Sequence, residues 1–176
     1  MDEGSLNSAQ GGKLTKGLAS ALMSPETRGL TLAKASGLSD HELLATYASA
    51  CQLLKKNDFV GAAKIFVLLV ALDHRQAKHW RGLGVCAQRA QRFKTAEFFF
   101  SAALERDPKD IISRVFRAEA RLYLKKVTAA ESDLKDVIEH AKQDKRVEIA
   151  PYVKRAQNLQ KILYANDQAA ALEGGS

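Results

Sequence analysis

The feature that most constrains this chain is a spacing. Trp80, Leu83 and Gly84 are followed by Ala96, Phe100, Ala103 and Pro108. Two large residues, then a small one, recur at helical intervals, and a second small–large pair follows on what must be another helix. Gly84 and Ala96 are small where two helices cross closely, and Phe100 is the ring that fills the gap between them. Pro108 ends the second helix, because proline has no N–H to donate and disfavours helix in the residue before it. A β-fold cannot use this pattern, and neither can a lone helix.

The order and spacing are those of a tetratricopeptide repeat, with Ala87 in place of the usual tyrosine. One such repeat cannot bury its own apolar face, so neighbours are required. A shift of about 34 residues finds them. Upstream, Ala50, Ala62 and Phe66 take the places of Gly84, Ala96 and Phe100; downstream, Ala118, Ala130 and Leu134 do so. Ala96-Glu97 returns as Ala130-Glu131. The frame runs without insertion over 43–76, 77–110 and 111–144. The spacing predicts an all-α chain in which three repeats form a short right-handed superhelix. The expected helices cover 41–56, 59–72, 77–90, 93–106, 111–124 and 127–141, with a capping helix from about 151 within 145–172.

Outside the repeats the composition changes. Residues 1–12 are rich in Gly, Ser, Asn and Gln and are expected to be disordered. Residues 13–40 form an N-terminal helical segment. Leu14, Leu18 and Leu22 recur every fourth residue along Lys13 to Met23, and Ser24-Pro25-Glu26 breaks the run. That narrow stripe needs a surface, either the first repeat or a second copy of the chain. Ser39 or Asp40 is the expected N-cap of the first repeat. Asn57 suits the turn after it, since asparagine tolerates the left-handed conformation. Pro151 suits the first turn of the last helix, where Tyr152, Ala156, Leu159 and Leu163 form a buried stripe and Lys154, Arg155 and Lys161 point away from it. The tail 173–176 is expected to be disordered.

The chain has 176 residues, a length for one domain, and 46% apolar residues. The longest apolar run, Ile65 to Leu72, is too short to span a bilayer. The polar, acidic start Met1-Asp2-Glu3 is no secretory signal, so the expected location is the cytoplasm. Cys51 and Cys86 read as reduced thiols. The net charge is +7, spread as −1 over residues 1–42, +2, +3 and +1 over the three repeats, and +2 over 145–176. This spread reads as a solvated surface rather than a nucleic-acid or membrane site.

Chemistry-bearing patterns are missing. Gly82-x-Gly84 is half of a dinucleotide fingerprint, but no strand precedes it. His41, His74, His79 and His140 do not pair at metal-ligand spacings. A binding protein without cofactor or metal is expected, not an enzyme.

In arrays of this kind the first helix of each repeat lines the concave face. The second, fifth, ninth and twelfth positions of each repeat point there. They give Leu44, Tyr47, Cys51 and Leu54; Lys78, Arg81, Val85 and Gln88; and Ile112, Val115, Glu119 and Leu122. Two rows are largely apolar, which suits the side chains of an extended peptide. Core is the competing role for the apolar members, while Tyr47, Lys78 and Arg81 are the preferred groove residues.

Several short motifs together resemble one family. They are Gly29-x-Thr31-Leu32, Tyr47-Ala48, Phe59-x-x-Ala62-x-x-x-Phe66, Leu72-Asp73-His74, Gly82-Leu83-Gly84-x-Cys86 and Ala130-Glu131-Ser132. Over residues 29–144 the chain resembles the class II chaperones of bacterial type III secretion systems. The resemblance implies a cytosolic chaperone whose three repeats hold an extended segment, similar to P-x-L-x-x-P, of a secreted pore-forming translocator. It also implies a homodimer formed through the N-terminal helical region, here Leu14, Leu18 and Leu22. Three other readings remain at this point: a co-chaperone of the needle subunit, an adaptor that clamps a C-terminal carboxylate, and a basic RNA-binding repeat protein. Lys78 and Arg81 would suit the clamp, but its paired asparagines are missing.

Overall fold

The computed structural model describes residues 31–142, 144 and 146–173, with side chains up to Ala165. The stripe Leu14, Leu18 and Leu22, the N-terminal segment before Thr31 and the residues after Glu173 lie outside the described residues.

A short helix α1 (Leu32–Ala35) opens the described chain. Six helices follow as three antiparallel pairs: α2 (Asp40–Lys55) with α3 (Phe59–Leu72), α4 (Ala77–Arg89) with α5 (Phe93–Arg106), and α6 (Ile111–Tyr123) with α7 (Val127–Ala141). A single 3₁₀ turn (Val147–Ile149) leads into a long last helix, α8 (Ala150–Glu173). Among the described residues there is no strand. The fold is the all-α stack of three tetratricopeptide repeats that the spacing predicts.

The turns show why the period is kept. Asn57, Gln91 and Lys125 all have positive φ, at 61°, 57° and 58°. They stand at the same place in the three turns within repeats. Behind each, the same pair of backbone hydrogen bonds closes the helix, for instance Gln91 N–H to Gln88 O at 2.9 Å and Arg92 N–H to Ala87 O at 2.9 Å. A left-handed residue after the last helical turn satisfies carbonyls that would otherwise be orphaned. Only Asn57 belongs to a residue type that favours this conformation, so it alone could be read from the sequence. Ser39 is the N-cap of α2 and forms a capping box with Glu42: the Glu42 N–H donates to Ser39 Oγ at 3.2 Å, and the Ser39 N–H donates to Glu42 Oε2 at 2.8 Å.

The core repeats as well. Phe66, Phe100 and Leu134 are each buried, one per repeat. A methyl group at Gly82 would overlap the ring of Phe66, and one at Gly84 would overlap the ring of Phe100. The two glycines of α4 are therefore contact points for aromatic rings from the second helices on either side. Trp80 is half-buried. Its indole N–H donates to the carbonyl of His74 at 2.7 Å, and the Arg106 guanidinium lies 4.3 Å from its ring centroid. It ties the turn between repeats to α5. The helix α8 packs on both α6 and α7 and buries Ala156 and Ile149 against Ile111, Val115 and Leu134.

Candidate functional site: the concave face

Helices α2, α4 and α6 contact one another directly across the repeats, so their shared side is the inner face of the stack. At its N-terminal end, Leu44 is 57% exposed. Tyr47 is half-buried. Its ring meets Phe66 edge-on at 5.9 Å and lies 6.0 Å from His79, with the Lys78 ammonium 5.0 Å from its centroid. Burial and the neighbouring Cys51 raise the phenol's pKa above its ordinary value, so it stays a neutral donor. Cys51 and Leu54 are half-buried against Ala50, Ala62 and Leu69 and show only part of their surface.

Arg81 departs from the expectation of a free groove cation. Its guanidinium donates to both oxygens of Asp110, at 2.8 and 2.7 Å, and Asp110 in turn caps α6 through Ser113. Burial opposes the charge, but Asp110 and Tyr47 outweigh it and the pKa of Arg81 is raised. It is a strut between the second and third repeats.

The third row is corrected more strongly. Val115 is 0% exposed and belongs to the core beneath α8, not to the groove. Ile112 is half-buried beside a small pocket at the other edge, with Arg81, Asp110 and Arg146. Glu119 is buried. Its carboxylate accepts from Gln88 Nε2 at 3.0 Å and from both Nε and Nη2 of Arg155. Arg155 therefore reaches from α8 to Glu119 while about half of its side chain stays exposed, and it also stands 5.6 Å from the Phe116 ring.

The physical cause is α8. It crosses the end of the stack, covers what would be the third row, and replaces it with its own side chains. Two cavities result, of about 750 and 420 Å³, sharing Gln88, Tyr123 and Arg155. Val85 lines the first and Leu122 the second. Phe116, Tyr123, Tyr152 and Arg155 were not foreseen. Phe116 and Tyr123 fall off the groove positions, and the other two come from outside the repeats. The aromatic content of α6 was the available signal.

A third cavity, about 740 Å³, lies on the outer side between α3 and α5, lined by Phe59, Val60, Val67, Leu83 and Phe99. Both cysteines are free. Burial pushes the Cys86 thiol up to about 11, which makes it an unreactive core residue. Among the described residues no cluster of three His, Cys, Asp or Glu could hold a metal ion. No helix among them is long and apolar enough to cross a membrane.

The sequence matches no protein-family model and no curated protein. Solved structures do match. The translocator chaperone SycD of Yersinia enterocolitica type III secretion is 25% identical, with a TM-score of 0.70, over 76% of this chain and 98% of SycD. The chain is thus similar in fold to tetratricopeptide translocator chaperones. A type III secretion complex from Aeromonas hydrophila matches at 25% identity and TM-score 0.75, over 87% of this chain and 98% of the other. PcrH, solved with the chaperone-binding region of PopD, matches at 27% identity and TM-score 0.68, over 74% of this chain and 97% of the other. The match thus spans nearly the full length of each neighbour.

Proposed function

We propose that this protein is a cytoplasmic chaperone of a bacterial type III secretion system. It binds an extended segment of a secreted translocator on its concave face and keeps that client soluble and unassembled until export. The observation that carries this reading is the likeness, over almost the whole of each neighbour, to chaperones including one solved with a translocator's chaperone-binding region. The role is that of a binding protein, not of an enzyme.

Within the face, Leu44, Tyr47 and Lys78 form the primary peptide-binding surface. Cys51, Leu54, Val85, Gln88 and Leu122 contribute the exposed edges of their side chains. Arg81, Ile112, Val115 and Glu119 support that surface from behind. A Lys/Arg carboxylate clamp is disfavoured because the Arg81 guanidinium is already paired with the Asp110 carboxylate. The protein is a homodimer through Leu14, Leu18 and Leu22, and light scattering of the full chain against a chain starting at Leu38 tests this. Equal monomeric masses would remove the dimer.

The test of the groove is calorimetric titration with the client's N-terminal peptide. Tyr47→Ala is expected to lose about 2 kcal/mol of binding or more, as aromatic anchors at interface centres do. Leu44→Asp is expected to weaken binding while shifting stability by no more than about 0.5 kcal/mol, since the side chain is exposed. Affinity that survives both substitutions would remove the client from this face.

A further inference from the structure

The two edges of the stack carry their charges differently. Along the edge made by the turns between repeats, the arginines are spent. Arg75 pairs with Asp73 at 3.2 Å, Arg81 with Asp110 at 2.7 Å and Arg146 with Asp144 at 2.6 Å; Arg114 pairs with Asp136 at 2.5 Å. Along the opposite edge, made by the turns within repeats, the cations are idle. Lys55, Lys56, Lys64, Arg92, Lys94 and Lys125 are exposed and form no ion pair among the described residues. Arg89 is also exposed and rests only on the Phe59 ring, at 5.9 Å. Of the nearby carboxylates, Asp58 caps α3 through the Gly61 N–H, and Glu97 is taken by Arg121 and Lys126.

These turns form one continuous surface. Arg89 over Phe59 joins the second turn to the helix after the first. Phe93 stacks on Tyr123 with centroids 4.1 Å apart and planes at 5°, joining the second to the third. Tyr123 is nevertheless 67% exposed. Beside this pair opens the cavity of about 750 Å³, with Phe116 and Tyr152 inside and Arg89 and Gln91 at the rim. A pocket with aromatic walls, edged by the polar side chains of Gln88, Gln91 and Arg155 and set beside a row of cations without ion pairs among the described residues, is a composite site.

We propose that this edge is a docking surface for an acidic protein segment that carries one large aromatic or apolar anchor. The anchor enters the pocket beside Phe93 and Tyr123. The segment's carboxylates meet Arg89, Arg92 and Lys94 on one side of it and Lys125 on the other. Charge complementarity selects the partner. A second copy of the chain would set like charges against each other. Residues 1–30 carry Lys13, Lys16 and Arg28 against Asp2, Glu3 and Glu26, and so offer no net negative charge. A nucleic acid would track a continuous basic groove, whereas here the cations flank a pocket that a single anchor side chain can enter. Exposed pairs are individually weak and screened, so the anchor supplies most of the hold while the cations set the encounter rate and the salt dependence. Its pocket shares Val85 and Gln88 with the far end of the groove, while Tyr47 stands at the other end, so loss of binding in Tyr47→Ala tests the peptide-binding reading and not this one.

The probe is a synthetic Glu-rich peptide containing one Trp, followed by fluorescence anisotropy at two salt concentrations. It is expected to bind the full chain. The triple variant Lys56→Glu, Arg92→Glu, Lys94→Glu is expected to lose about tenfold in affinity or more, mostly in association rate. Replacing the peptide's Trp with Ser is expected to weaken binding at both salt concentrations. The control Lys109→Glu, Lys135→Glu removes idle cations elsewhere and is expected to leave binding unchanged, as is Tyr47→Ala. Thermal melts establish that each variant is folded, and the Gln versions of the triple variant serve if the Glu version is not. Equal losses in the control and the edge variant would overturn the proposal, as would indifference to the Trp. Tighter binding of an RNA oligonucleotide or of anionic vesicles, lost in the triple variant, would reassign the edge to that class of partner and overturn it too.

Discussion

The two ends of the concave face began as the same repeat and ended as different surfaces. The fifth repeat position is Tyr47 in the first repeat, Arg81 in the second and Val115 in the third. The first is half-buried under Lys78, the second is locked to Asp110, and the third is core. The ninth position runs from Cys51 through Val85 to the buried Glu119. The register is identical, so the difference comes from the neighbour. The first repeat has nothing described across its inner face, whereas the third has α8. A repeat position therefore states which way a side chain points, and the neighbouring element decides whether it meets solvent, an ion or a core.

The contrast can be broken first at the middle repeat, on which both ends lean. Phe100→Ala removes a fully buried ring fitted against Gly84 and is expected to cost about 3–5 kcal/mol. Urea unfolding checks this, and both ends should melt together in one shifted transition. A loss below about 1 kcal/mol would mean that the ring does not bridge the two halves.

A smaller effect belongs to the closed end alone. Arg155→Ala leaves the Glu119 carboxylate buried with Gln88 as its remaining side-chain partner. An abandoned buried acceptor costs about 1–3 kcal/mol. Hydrogen exchange should show the loosening in α6 and α8, with α2 and α3 unchanged. Uniform loosening would erase the distinction between the ends.

The smallest effect belongs to the open end. His79 is buried under Tyr47, and its Nδ1 lies 3.0 Å from the carbonyl of Asp73, to which that nitrogen donates when protonated. Burial first, then the charge of Lys78, hold its pKa below the ordinary 6.5, against the pull of the Asp73 carbonyl. The folded state thus prefers the neutral ring. Above pH 6.5 both states carry it neutral; below that the unfolded chain takes the proton first, and stability falls as pH drops toward the folded value. His79→Gln should flatten this part of the stability profile above the carboxylate range. Asp73 and Glu97, whose pKa values are lowered, add their own losses only at more acid pH. An unchanged slope in the variant would place the titration elsewhere.

Much of this was legible in the chain itself. The period, the small residues at helix crossings and the rings that meet them follow from steric fit between adjacent elements, which a local pattern records. Gly84 against Phe100 is such a pair, and so is Gly82 against Phe66, although the latter crosses from one repeat to the next. The Ser39 capping box and the left-handed Asn57 are equally local. The inward side of the first helices was legible in direction, but not which of its residues stay accessible. Val115 and Glu119 point where their positions say, and α8 then covers them; no spacing within the repeats encodes where a helix some 30 residues later will lie. Arg81 looked free because its partner, Asp110, sits 29 residues away at the start of the next repeat. Gln91 and Lys125 take the left-handed conformation where the same pair of closing hydrogen bonds ends each first helix, although neither residue type favours it.

The sequence by itself determined the three helix pairs, their lengths and the side of each first helix that faces inward, because these depend on contacts between residues close in the chain. The tertiary structure alone decided which inward residues remain available, that Arg155 pairs with Glu119, and that a row of idle cations gathers along the edge of the turns within repeats, because each of those depends on where distant elements come to rest.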